Sequence, residues 1–178
     1  MDVTFVKRGT GYEVLVRREK GPELAPRGGP GASPTVPHDA AHMIGEIEDG
    51  LRGGVFGRLA AADGLDGLFW PADPVARKKA SRNTKRPTAE QSEDMRRSEY
   101  LASLTVALWE VERGLRAPDR AWPGTVDDAD LTPELVRRLY ARYDAFAAAW
   151  KDLPDGGELT LAWPGEVRGG SRKSGRRG

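Results

Sequence analysis

Val3-Thr4-Phe5-Val6-Lys7-Arg8-Gly9-Thr10-Gly11-Tyr12-Glu13-Val14-Leu15-Val16 is the stretch on which the fold class turns. Val3 and Phe5 on one side of Arg8-Gly9-Thr10-Gly11, and Tyr12, Val14 and Val16 on the other, alternate with their neighbours at the two-residue period of a strand with one buried face. Glycine supplies the positive φ that a tight hairpin turn needs, so the chain opens on a β-hairpin. At the far end Leu159, Leu161 and Trp163 alternate with Thr160 and Ala162 between Gly156-Gly157 and Pro164-Gly165, which reads as one more strand. A single strand is not stable alone, and the hairpin is the only other sheet material expected. The two ends of the chain are therefore predicted to join in a small antiparallel sheet formed by residues 2–17 and 158–164.

The segment between the strands is helical in pattern. Val36, Ala40, Met43, Ile44, Ile47 and Leu51 recur at helical spacing and predict an amphipathic helix over about 38–50, closed by Gly50 or by Gly53-Gly54. Thr88 with Gln91 three residues later forms a capping box. Behind it Leu101, Leu104, Leu108, Val111 and Leu115 mark a long helix over 89–115. Thr132-Pro133 starts another, with Leu135, Leu139, Tyr143, Phe146 and Trp150 as its apolar stripe as far as about residue 152. The expected architecture is α+β: a small antiparallel sheet, from the N-terminal hairpin plus the C-terminal strand, packed against a long antiparallel helix pair and one shorter amphipathic helix. Residues 1–165 form one domain in this reading, with flexible loops at about 20–36 and 73–87, and 166–178 form a disordered basic tail. The first loop is indicated by five prolines and four glycines between residues 20 and 37.

Composition narrows the chemistry. The chain has 178 residues and no cysteine, which excludes disulfides, thiolate zinc sites and cysteine nucleophiles and leaves His, Asp and Glu as the strong metal ligands. No run of 18 apolar residues and no N-terminal signal core is present, so a cytoplasmic protein with no membrane contact is expected. No GxxxxGK[ST] phosphate loop or GxSxG nucleophile elbow occurs, and Asp127-Asp128-Ala129-Asp130 lacks the glycine and terminal glutamate of a calcium loop.

Both histidines lie in Pro37-His38-Asp39-Ala40-Ala41-His42-Met43-Ile44-Gly45-Glu46. The HDxxH spacing resembles the HExxH signature of zinc peptidases, in which two histidines one helical turn apart hold the metal and the acid between them works on bound water. That resemblance implies His38 and His42 as ligands of a divalent, zinc-like ion, Asp39 as the acid, and Glu46 or Glu48 as a third ligand. Two departures stand beside it. Asp39 is one methylene shorter than glutamate, losing on the order of 1.3 Å of reach. Pro37 restricts where the helix begins: with Asp39 as cap His38 falls outside it, with Thr35 as cap His38 enters the first turn and the two rings align. The Pro-His-Asp opening, the helix after it and Gly53-Gly54-Val55-Phe56-Gly57 are similar to a group of small uncharacterised bacterial proteins, a resemblance that implies no activity.

On a helical wheel at 100° per residue the apolar set spans about −20° to +80°, while His38, Asp39, His42 and Glu46 fall at about 200° to 300°. The histidine face is thus expected to be solvated, opposite the core. Two basic runs complete the inventory. Arg77, Lys78, Lys79, Arg82, Lys85 and Arg86 carry no acid among them, and the tail from Arg168 holds five more cations, including Arg172 and Lys173. Without these eleven the remainder has 17 basic against 27 acidic residues, an acidic body with two basic appendages. They offer contact to a protein partner or, by phosphate neutralisation alone, to nucleic acid, since no aromatic between Trp70 and Tyr100 is there to stack bases. Trp109 lies one residue off its helix stripe and is expected to be partly exposed, and Trp122 sits in a turn-rich connection. The favoured reading is a small binding or regulatory protein without catalysis. A metal-dependent hydrolase is the alternative, and weak nucleic-acid association the third.

Overall fold

A computed structural model describes residues 1–30, 34–62, 67–83, 85–118 and 131–164 of the chain. Strand β1 (Asp2–Arg8) pairs antiparallel with β2 (Gly11–Arg17) across a turn in which Gly9 takes a φ of 55°. A two-residue strand β3 (Arg27–Gly28) pairs with β2, and β4 (Glu158–Ala162) pairs antiparallel with the other edge of β1, giving the order β3-β2-β1-β4. The expected joining of the two chain ends is the central feature of the fold. Register places Phe5 opposite both Val14 and Leu159, and Val3 opposite both Val16 and Leu161, so the apolar residues of three strands share one face.

Five helices accompany the sheet among the described residues. They are α1 (His38–Asp49), α2 (Val55–Ala60), α3 (Pro74–Arg82), α4 (Ala89–Glu112) and α5 (Pro133–Lys151). Phe5 meets Phe146 of α5 edge-on at 5.7 Å, and Phe146 meets Trp150 at 5.8 Å. Lys7, on the same sheet face, donates its ammonium to the carbonyls of Trp150 at 3.1 Å and Leu153 at 3.0 Å, which satisfies the open end of α5 and aims the chain into β4. The caps read from the sequence are formed: Thr88 and Gln91 exchange both bonds of the capping box, and Thr132 accepts from the N–H of Leu135.

Several expectations need correction. The segment over 73–87, read as a loop, carries α3, capped by Asp73 with Pro74 as its first residue; with no buried position it shows no apolar periodicity to find. The segment over 20–36 adds β3 and a bridge from Leu24 to Pro71. Helix α4 stops at Glu112, and Leu115 is exposed. Trp109 is buried, not available to a partner, because its indole N–H reaches Asp144 of α5 at 2.8 Å and its ring packs on Tyr143. Trp122 and the tail, including Arg172 and Lys173, lie outside the described residues. Among the described residues no helix is long and apolar enough to cross a membrane.

The helix at the centre is α1. It packs more extensively on α4 than α5 does, and it also touches α5 and α2. Every residue from Asp39 to Glu46 is buried. The expectation of a solvated histidine face fails for Asp39, His42 and Glu46, while His38 stays half-exposed, and the reason is the number of neighbours. The apolar stripe accounts for the core side of α1, while α4 and the turn before α2 cover the polar side, where each buried polar group has been given a partner.

Candidate metal centre

Helix α1 begins at His38, with Pro37 itself as the cap, φ −53° and ψ 140°. Neither Thr35 nor Asp39 takes that position: Thr35 donates its hydroxyl to Glu110, and the carbonyl of Pro37 accepts the first helical bond from Ala41. Proline offers no side-chain acceptor, so a residue of the sheet does the capping. The hydroxyl of Tyr12 accepts from the backbone N–H of Asp39 at 3.2 Å and donates to its carboxylate at 2.7 Å. Burial and the facing Asp39 carboxylate push the Tyr12 phenol well above its ordinary range, so it stays a donor. The other oxygen of Asp39 is held by the Arg27 guanidinium, which also lies over the ring of Phe69. Asp39 is thus committed to the sheet side and is not the acid beside the histidines.

With His38 as the first helical residue, His42 lies one turn on and the two rings converge. Their Nε2 atoms are 3.1 Å apart and the rings stand at 85°. A carboxylate completes the group, supplied by Glu99 of α4: its Oε2 lies 3.5 Å from His42 Nε2 and 4.0 Å from His38 Nε2. His38, His42 and Glu99 form the one group of metal-capable side chains found among the described residues. His42 is 4 % exposed, whereas His38 and Glu99 are 42 % and 60 % exposed, so the group has a protein wall on one side and solvent on the other. Burial lowers the basicity of His42, against the pull of Glu99, and the neighbouring His38 lowers it further; its imidazole is neutral at neutral pH, the form that ligates a metal.

Behind the pair runs a buried polar chain. His42 Nδ1 and Ser98 Oγ share a hydrogen bond of 2.8 Å, and Ser98 donates to Glu46 Oε1 at 2.8 Å. Glu46, fully buried, also accepts from the N–H groups of Val55 at 2.8 Å, Phe56 at 2.8 Å and Gly57 at 3.0 Å. Burial pushes its carboxyl up to about 7, against the opposing effect of these four donors. Such close wrapping demands glycine: a Cβ on Gly54 would lie 2.4 Å from the Glu46 carboxyl carbon. Glu46 is therefore one residue removed from the imidazoles, with its lone pairs spent on α2 and Ser98, and it does not stand where a third ligand would. Glu48 is further away in role, bound to Arg138 and Arg142 of α5 at 3.1 and 2.9 Å.

Arg77, Lys78, Lys79 and Arg82 project from α3, and Lys85 and Arg86 follow it; all six are exposed, and none joins the histidine group. Ser98 and Glu99 were not legible as site residues, because their aim at α1 follows from how two helices cross. The sequence feature nearest to them is Gly53-Gly54-Val55-Phe56-Gly57, in which Gly54 makes room for the buried carboxylate of Glu46. No family model, curated protein or solved structure matches this chain.

Proposed function

We propose that this chain is a metal-binding protein that holds one divalent ion of the zinc class at His38, His42 and Glu99. The observation that carries the reading is the 3.1 Å separation of two imidazole Nε2 atoms beside a carboxylate oxygen. Zinc–nitrogen bonds of about 2.0–2.1 Å at a tetrahedral angle place ligand nitrogens about 3.3 Å apart, so the pair stands close to the spacing an ion imposes. Two histidines and one carboxylate leave at least one coordination position for water or an outside ligand. Asp39, held by Tyr12 and Arg27, is not placed to work on water bound there. The reading is accordingly one of binding, with peptide hydrolysis on the zinc-peptidase pattern left without its acid. A cytoplasmic setting belongs to the same proposal, supported by the lack of a membrane-crossing helix among the described residues and of cysteine anywhere in the chain.

The test is metal analysis and zinc titration of protein purified without a histidine tag. Wild type is expected to take up close to one equivalent and to gain thermal stability as zinc rises, because an ion bound only by the folded state adds to its stability. His42→Ala abolishes both, and Glu99→Ala weakens uptake while leaving the metal-free protein folded. Uptake that is absent in wild type, or that survives His42→Ala unchanged, overturns the proposal.

A further inference from the structure

The geometry points to Glu46 and Ser98 as positioning residues that hold His42 in the Nδ1–H tautomer, so that its Nε2 lone pair is fixed toward His38 and Glu99. Both oxygens of Glu46 already receive backbone N–H groups, Oε1 from Val55 and Oε2 from Phe56 and Gly57. An ionised carboxylate has no proton to give, so the Ser98 hydroxyl donates to Oε1, and its one hydrogen is then used. Ser98 Oγ can meet His42 Nδ1 at 2.8 Å only as an acceptor, which puts the ring proton on Nδ1. The bare nitrogen is Nε2, and the 3.1 Å contact between rings is closed in the metal-free protein by His38 Nε2–H donating to it. The two histidines are thus unequal: the buried one is set in its ligating tautomer, while in the half-exposed one the ring proton must sit on Nδ1 instead of Nε2 before an ion can lie between them.

This inference rests on the metal reading for its purpose but not for its test. Protein labelled with ¹⁵N-histidine is examined free of metal at pH 8, with Glu46 ionised, and zinc affinity is then measured for wild type, Ser98→Ala and Ser98→Thr. The expected spectrum shows His42 as the Nδ1–H tautomer, and Ser98→Ala mixes the tautomers. Loss of an outer-shell partner of this kind weakens metal affinity about 10- to 100-fold. Ser98→Ala is expected in that range, and Ser98→Thr, which keeps the hydroxyl, within about threefold of wild type on the same scale. An Nε2–H tautomer in wild type overturns the inference, as does a Ser98→Ala protein that binds zinc like wild type. If wild type takes no zinc yet shows the Nδ1–H tautomer, the metal reading falls and the positioning of His42 by Glu46 and Ser98 stands.

Discussion

Helices α1 and α3 are both rich in polar residues, yet α1 has eight consecutive buried positions and α3 has none. The difference is partners. Asp39 meets Tyr12 and Arg27, His42 meets Ser98, and Glu46 meets four donors, so each buried polar group on α1 exchanges its water for a protein hydrogen bond. The cations of α3 and of the residues after it are exposed, and α3 is held by its Asp73 cap and its initial proline. Polarity in a sequence therefore sets the cost of burial, and the donors and acceptors on other elements decide whether that cost is met.

The sharpest way to break the comparison is Glu46→Ala. It leaves three backbone N–H groups and the Ser98 hydroxyl buried without an acceptor, and a loss of about 3–5 kcal/mol in urea unfolding is expected. A second, smaller effect depends on pH. The folded carboxyl of Glu46 is raised to about 7 from an ordinary 4.5, so between those values the unfolded chain has released the proton and the folded chain retains it. Stability from this group is complete below about 4.5 and is lost as pH rises through about 7. His42 acts in the opposite sense, its lowered folded value removing stability as pH falls below its ordinary 6.5, but it is common to wild type and to Glu46→Gln. Between pH 5 and pH 8 wild type should lose on the order of 2 kcal/mol that Glu46→Gln does not, read from the difference of their urea midpoints.

Tyr12→Phe comes next at about 1–2 kcal/mol, since it strips one bond from the buried Asp39 carboxylate and one from its backbone N–H while Arg27 keeps its hold. Lys78→Gln with Lys79→Gln on α3 should shift the midpoint by less than about 0.5 kcal/mol, as expected of exposed charges that form no ion pair among the described residues. A large loss from the α3 pair, or none from Glu46→Ala, would remove the distinction between the two helices.

How much was legible from sequence follows the same division. Alternation at Val3, Phe5, Val14 and Leu159, the Thr88-Gln91 box and the Thr132-Pro133 start are local signals, and the elements they announce stand where expected. The histidine spacing was local too, and it placed His38 and His42 one turn apart. What escaped was which element faces the polar side of α1. Glu99 is one of several acids on α4 and Ser98 an unremarkable neighbour, and only the crossing of two helices separated by some fifty positions makes them part of the site, as the 52-residue interval from Glu46 to Ser98 shows. The burial of Trp109 was missed for the same reason, its partner Asp144 lying 35 residues on.

One consequence of the sheet concerns how the chain reaches its native state. Strand β1 has one neighbour joined by a tight turn and another that arrives from far along the chain, Thr4 bonding Thr160 across 156 positions. The hairpin seam can zip within microseconds, while the second seam must wait for a long closure past every helix. Until then β1 presents a bare edge with unsatisfied amides, open to a neighbouring molecule of the same kind. Crowded refolding should therefore yield intermolecular sheet first at β1, and a separate peptide spanning Glu158–Ala162 should suppress it by sealing that edge ahead of time.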